Sequence, residues 1–155
     1  MFAEGAGGRL QHVKPHGALY TMAQGDPELA QGVADAIAEL GGGVILLLAG
    51  KTVADAAHSA GVPFVPEGYV DLDYAGDGSL VIERVKQVRD PETMAAKAVR
   101  LVTEGKVRTL DGTDLELEAR SICVHGDAPN APDIAGAIRR ALEGAGVALT
   151  PLAEL

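Results

Sequence analysis

Three short stretches of this chain carry side chains that can move protons or hold anions. The first is His12-Val-Lys-Pro-His-Gly-Ala-Leu-Tyr20, where a strand-like run from Leu10 to Val13 leads into Lys14, Pro15, His16 and Gly17. Strands in α/β proteins deliver polar residues at their carboxyl ends, where ligands bind. Pro15 biases Lys14 toward extended backbone and ends regular pairing, and Gly17 lets the chain turn away or a ligand approach closely. Lys14 suits a carboxylate or phosphate, and His16 suits proton transfer near neutral pH or metal ligation. His12 shares their alternation but lies deeper in the strand and is read as structural.

The second stretch is Glu67-Gly-Tyr-Val-Asp71. Two carboxylates at a strand-to-loop exit suit a base and its metal or proton partner, although surface loops are rich in acids. Tyr69 and Tyr74 stand nearby, to pack on a ligand or to cover the core. The third stretch is Val124-His-Gly-Asp127. A buried strand that ends in His125, Gly126 and Asp127 offers a pair for acid–base work beside a glycine that permits close approach. Capping of the following helix is the competing job for Asp127. The simplest organisation brings the three stretches together.

Other motifs fail on inspection. Ala49-Gly-Lys-Thr52 follows a strand and precedes a helix, as the end of a P-loop does. That motif needs a glycine five residues before Gly50. The position is Ile45, inside the strand, so no loop exists to cradle phosphate. No Gly-x-Gly-x-x-Gly follows a strand, and no Cys/His spacing fits structural zinc.

The elements that must position these residues follow from periodicity. Asp26-Pro-Glu28 and Asp90-Pro-Glu92 share one helix-opening grammar of cap, first-turn proline and acid. The first opens a helix with Leu29, Val33, Ile37 and Leu40 inward, ended by Gly41-Gly-Gly43. The second opens a helix to about Glu104, with Met94, Ala98, Leu101 and Val102 inward. Val44–Leu48 is a continuous apolar run, expected to be a strand buried on both faces. Thr52 is expected to cap a short helix over Val53–Ala60, and Val62–Val65 to form the strand that delivers Glu67. Asp77-Gly78 and Asp111-Gly112 mark turns, the second inside a hairpin of Val107–Leu110 and Leu115–Leu117. Ser121–Val124 is a strand. A last helix, capped by Asn130 or Asp127, turns Ile134, Ile138, Ala141 and Leu142 inward, and Val147–Leu152 is expected as an edge strand. His58 lies in a short helix and receives no role. The alternation implies parallel βαβ units, with strands enough for an open sheet or part of a barrel.

Composition bounds the rest. At 155 residues, one domain over 1–155 is the expectation, and 47% apolar residues supply its core. Trp is absent and aromatics are 3%, so that core is aliphatic. A net charge of −9 argues against a nucleic-acid partner, which needs a basic face. The single cysteine, Cys123, reads as a packed thiol in a reducing compartment. No signal peptide is visible, and the longest apolar run is too short to cross a bilayer, so a cytoplasmic protein without a membrane partner is expected. The residues after Met1 resemble the end of a helix and its glycine-rich exit, which suggests a missing upstream part.

His12–Tyr20 and Ile122-Cys-Val-His-Gly-Asp127 resemble the hallmark segments of the LamB/YcsF family, described as the A subunit of the bacterial ATP-dependent 5-oxoprolinase. Glu67–Asp71, Asp77-Gly-Ser-Leu-Val81 and Gly105-Lys-Val-Arg-Thr-Leu-Asp-Gly112 fall between them in the family's order. The resemblance runs from Gly7 onward and matches the C-terminal three-fifths of a family member. The upstream Asp-Leu-Asn-Cys-Asp and His-Ala-Gly-Asp segments are absent from this chain. It implies a distorted β/α barrel of the glycoside hydrolase/deacetylase type, here partial, and therefore self-association or association with a missing half. It also implies lactam hydrolysis of 5-oxo-L-proline to L-glutamate with ATP and Mg2+, partnership with the B and C subunits of that enzyme, and no tightly bound cofactor. Under that resemblance Lys14, Tyr20 and Tyr69 contact substrate, and Lys14, His16, Glu67, Asp71, His125 and Asp127 supply the chemistry. Two positions depart from the family's pattern. Leu72 stands where members often have Arg, and Gly126-Asp-Ala-Pro-Asn130 stands where many have Gly-Asp-Thr-Pro-Gly, so substrate contacts differ. The competing readings are a metal-dependent deacetylase or amide hydrolase on the same barrel, and a non-catalytic oligomer.

Overall fold

The computed structural model describes residues 2–154. The chain divides into two compact units, Met1–Pro66 and Glu67–Leu155.

The first unit holds α1 (Phe2–Gly5), β1 (His12–Val13), α2 (Gly17–Gly25), α3 (Pro27–Leu40), β2 (Ile45–Leu48), α4 (Lys51–Ser59) and the start of β3 (Phe64–Tyr69). Its strands are parallel, with His12 opposite Ile45 and Leu46 opposite Phe64. β2 is buried as its apolar run requires: Leu46, Leu47 and Leu48 alternate between faces, and all are buried. α3 opens on the expected cap, the Asp26 carboxylate accepting from the backbone N–H groups of Glu28 and Leu29, with Pro27 in the first turn. Its buried stripe is Ala30, Ala34 and Ile37, whereas Leu29 and Val33 are half-buried and Leu40 is exposed. The expected stripe is therefore turned onto its small residues, where α3 packs on α2 and α4.

Two elements differ from expectation. α2 has no counterpart in the sequence reading. It carries no side-chain cap at His16, is bounded by Gly17 and Gly25, and leaves Leu19 and Met22 exposed, so neither a start signal nor a clean apolar face announces it. α4 begins at Lys51, with Gly50 rather than Thr52 at the cap position. Gly50 sits at φ 108, a conformation that residues with a side chain rarely adopt.

The second unit holds the end of β3, β4 (Asp73–Tyr74), β5 (Leu80–Val81), α5 (Pro91–Glu104), β6 (Lys106–Arg108), β7 (Asp114–Glu116), β8 (Ser121–Cys123), α6 (Ala131–Gly144) and a 3-10 turn at Leu152–Glu154. β3 and β8 are parallel, while β4–β5 and β6–β7 are antiparallel pairs closed by the two Asp-Gly turns. The Asp77 and Asp111 carboxylates accept hydrogen bonds from Ser79, and from Thr109 and Thr113, which hold both below the usual carboxylate range. Leu110 N–H donates to the Tyr74 carbonyl and ties the second hairpin to β4.

α5 follows its sequence closely. Asp90 accepts from Thr93 N–H, Met94, Ala98 and Leu101 are buried, and Gly105 ends the helix at φ 65. It packs along α6, whose inner residues are Ile134, Ala137, Ile138 and Leu142. Asn130 occupies the cap position of α6, but its side chain does other work. Its amide donates to the Arg89 carbonyl at 2.7 Å and accepts from Arg89 N–H at 3.4 Å, clamping the loop that precedes α5. The strand expected over Val147–Leu152 does not form; Pro151, which cannot donate to a ladder, leads directly into the 3-10 turn. The α/β class stands, with parallel strands joined through helices and antiparallel hairpins beside them. Among the described residues no helix is long and apolar enough to cross a membrane.

Candidate active site

The second unit assembles a contiguous group of four candidate side chains from β3 and from the residues that follow β3 and β8. Glu67 and Tyr69 lie two apart and share one face of β3. The Tyr69 hydroxyl donates to Glu67 Oε2 at 2.8 Å, and Glu67 is only 2% exposed. The parallel register sets Tyr69 opposite Cys123. Two residues further along each chain stand Asp71 and His125, which the same alignment brings into contact. His125 donates its backbone N–H to Asp71 Oδ2 at 2.6 Å, and its ring Nδ1 lies 3.1 and 3.0 Å from the two carboxylate oxygens. The Tyr69 ring stacks on the imidazole, with centroids 5.5 Å apart and planes at 23°.

This geometry decides how His125 can act. A carboxylate accepting from Nδ1 requires the hydrogen there in the neutral ring, which leaves the lone pair on Nε2. The Asp71 side chain is 3% exposed and the His125 side chain 31%. A buried acid thus orients a half-exposed imidazole, the arrangement of a general base held by a third group. Gly68, between Glu67 and Tyr69, is required by packing: a Cβ there would lie 2.5 Å from Leu101 Cδ2 and 3.0 Å from Ala119 Cβ.

Tyr74 supports the group from below. Its hydroxyl accepts from Tyr69 N–H at 2.9 Å. Burial, with the charges of Glu67 and Asp71 adding to it, pushes the Tyr74 phenol up to about 12. The sign of the linkage is fixed by that direction. Above pH 10 the unfolded phenol ionises while the folded one does not, so stability present below pH 10 is lost as pH rises toward 12. A displacement of that size corresponds to about 2–3 kcal/mol. Denaturation at stepped alkaline pH should show this loss, and Tyr74→Phe should flatten it. A variant that loses as much stability as the parent over that interval would take Tyr74 out of the account.

Beside the group lies an ion network that sequence reasoning missed. Asp73 accepts from Lys97 at 3.1 Å and from Arg89 at 3.5 Å, and Arg89 also contacts Glu83. Burial raises the Asp73 carboxyl, but the Lys97 and Arg89 cations outweigh it and hold the group below the usual range. Partners 16 and 24 residues apart leave no local pattern to read.

The other sequence-predicted residues are placed as follows. Asp127 is exposed in the turn after Gly126, and among the described residues no hydrogen bond joins it to the group. In the first unit, Lys14 is half-buried just beyond β1, and His16 is exposed at the cap position of α2. Tyr20 is buried in α2, and its hydroxyl accepts from Ala49 N–H at 3.0 Å, where β2 ends. Lys51 pairs with Asp55 at 2.7 Å, one turn along its own helix, in keeping with the rejection of a P-loop. Cys123 is half-buried in β8. Among the described residues no cluster of three or more His, Cys, Asp or Glu is arranged to hold a metal ion.

The LamB/YcsF family model matches residues 1–155. The chain belongs to the LamB/YcsF family. Among its LamB/YcsF relatives, the 5-oxoprolinase A subunit of Heliobacterium modesticaldum is 42% identical over 151 residues, covering 96% of this chain and 59% of that protein. The 5-oxoprolinase A subunit of Nocardia farcinica is 43% identical over 148 residues, covering 94% and 59%. A crystal structure of the lactam utilization protein from Thermus thermophilus superposes with a TM-score of 0.81 at 39% identity, over 96% of this chain and 60% of that one. The chain therefore spans about three-fifths of the length of the curated relatives it matches. The Asp71–His125 contact joins two of the stretches on which the LamB/YcsF resemblance rests.

Proposed function

We propose that this chain is an A-subunit-like component of an ATP-dependent 5-oxoprolinase, hydrolysing 5-oxo-L-proline to L-glutamate with the B and C subunits. The observation that carries the reading is the buried Asp71 carboxylate aligned on His125, beside the Tyr69–Glu67 pair. Family membership and the names of the relatives support the choice of a lactam as substrate.

The chemistry asks for such a group. A five-membered lactam is a stable amide that water attacks slowly. Transfer of the γ-phosphoryl of ATP to its oxygen gives an activated imidate, and water then adds at that carbon. Collapse breaks the ring C–N bond to give γ-glutamyl phosphate, and a second water hydrolyses that acyl phosphate to glutamate and phosphate. His125, oriented by Asp71, takes the proton from water at Nε2 and returns one to the leaving nitrogen. Tyr69 holds the imidazole plane by stacking and the Glu67 carboxylate by its hydroxyl. ATP, with its Mg2+, enters as a co-substrate of the assembled enzyme, and its binding is assigned to the complex.

The test is ATP-dependent release of glutamate from 5-oxoproline, measured for this chain alone, with the B and C subunits, and beside a version extended upstream. Turnover by residues 1–155 with the partners would place the essential chemistry in this chain. Turnover by the extended version alone would make the site a shared one. No turnover in any arm would sink the reading.

A further inference from the structure

Apolar exposure in the Glu67–Leu155 unit is concentrated on the stretch that follows β5. Ile82, Val85 and Val88 are 61%, 72% and 69% exposed. Glu83, Lys86 and Arg89, which follow each of them, are half-buried. The stretch is thus anchored at every third residue and turns its aliphatic side chains outward. Among the described residues, no backbone N–H of residues 82–88 donates a hydrogen bond within the chain. A row of exposed aliphatic residues beside open backbone donors has the composition of a surface that takes another chain.

The stretch continues an open sheet edge. Tyr74 of β4 pairs with Leu80 on one side and with Thr109 on the other, so β5 is the strand without a further neighbour. Two cations stand just beyond it, Arg84 and Lys86, and among the described residues neither forms a hydrogen bond or ion pair. The acids close to them are engaged elsewhere: Glu83 contacts Arg89, and Asp90 caps α5. The opposite end of β5 has the reverse sign. There the Asp77-Gly78 turn packs on the Asp111-Gly112 turn, since a Cβ on Gly76 would lie 2.6 Å from Asp111 Oδ2. Asp77 and Asp111 accept their hydrogen bonds on Oδ1, and among the described residues their Oδ2 atoms accept none. Leu110, next to Asp111, is 64% exposed.

One edge therefore carries an apolar cationic end and an apolar acidic end. Antiparallel pairing of two such edges about a two-fold axis sets the cationic end of each against the acidic end of the other. With the axis at Val81, Gly78 and Arg84 lie three residues to either side of it, so each Asp77-Gly78 turn meets the Arg84-Val85 segment of the second copy. The symmetry makes every such contact twice. We propose that the β5 edge with residues 82–88 is a self-association surface, and that its occupant is the same edge of a second copy of this chain. The two β4–β5 pairs join into one antiparallel sheet, Arg84 and Lys86 face Asp77 and Asp111 across the axis, and Ile82, Val85 and Leu110 lose their exposure. The proposal does not rest on lactam hydrolysis, because pairing requires no turnover.

Sedimentation equilibrium of residues 1–155 over roughly 1–300 µM reads the association directly. We expect a monomer–dimer equilibrium with a Kd of about 1–100 µM, the regime of a small interface. Arg84→Glu breaks no contact within the chain and should raise that Kd about tenfold, by setting like charges together across the axis. Val85→Ser should move it in the same direction without a change of charge. Thermal unfolding of both variants at low concentration should match the parent. Val81→Cys sets two thiols across the axis within disulfide reach. In a glutathione redox buffer it should give a covalent dimer on non-reducing electrophoresis, with the parent, whose one thiol is Cys123, as the control. A chain that stays monomeric over the whole range, or that grows past a dimer, would overturn the surface. A dimer whose Kd neither Arg84→Glu nor Val85→Ser alters is held by another face and would overturn it equally, as would Val81→Cys that cross-links no more than the parent.

Discussion

Replacing Asp71 by Asn should leave the fold in place and cut turnover of the active assembly by about 10²–10⁴. The reason is tautomeric. In the parent, Asp71 accepts from both His125 N–H and Nδ1–H. In Asp71→Asn the amide oxygen can still accept from the backbone N–H, which keeps the loop after β8 attached. The amide nitrogen then faces Nδ1 as a donor, which favours hydrogen on Nε2 and removes the lone pair needed for proton abstraction. Loss of the charge-assisted bonds adds a stability cost of about 1.5–3 kcal/mol. Nitrogen chemical shifts of His125 read the tautomer on this chain without any turnover. They should report Nδ1–H in the parent and Nε2–H in Asp71→Asn. The same tautomer in both proteins, or unchanged rates, would remove Asp71 from its orienting role.

Gly68→Val should strongly destabilise the second unit. A Cβ alone meets Leu101 Cδ2 at 2.5 Å and Ala119 Cβ at 3.0 Å, and Leu101 is 1% exposed with little room to yield. Overpacking of this kind costs about 1–3 kcal/mol, and valine adds two further methyls in the same space. The displaced strand residues are Glu67 and Tyr69, so the candidate site moves with them. A double-mutant cycle makes the cause explicit. Gly68→Ala in a Leu101→Ala background should cost less than in the parent, because the clashing methyl is gone. Additive costs in chemical denaturation would show that the Leu101 contact is not the origin.

Much of the local structure was legible in the sequence because its causes are local. Asp26-Pro27 and Asp90-Pro91 opened helices where their caps required it, and Gly105 stopped one in the left-handed region. Val44–Leu48 marked a strand buried on both faces because no polar residue interrupts it. Both Asp-Gly turns closed hairpins. Apart from the strand expected over Val147–Leu152, where Pro151 intervenes, the failures share one feature, the absence of a local signal. α2 has no cap, the start of α4 depends on a glycine angle, and Asn130 was drawn from its cap by Arg89, 41 residues away.

The candidate site divides along the same line. From the sequence alone came the residue types: a carboxylate pair at the strand-to-loop exit of β3, a histidine after β8, and the family that those stretches resemble. Only the tertiary structure decided which of them meet. The β3–β8 register brings Asp71 to His125 and lays Tyr69 on the imidazole, while Asp127, two residues from His125, faces solvent. Strand alternation names the face a side chain takes, but its partner is set by the neighbouring strand, and 54 residues separate Asp71 from His125. Spacing along one segment cannot encode that distance.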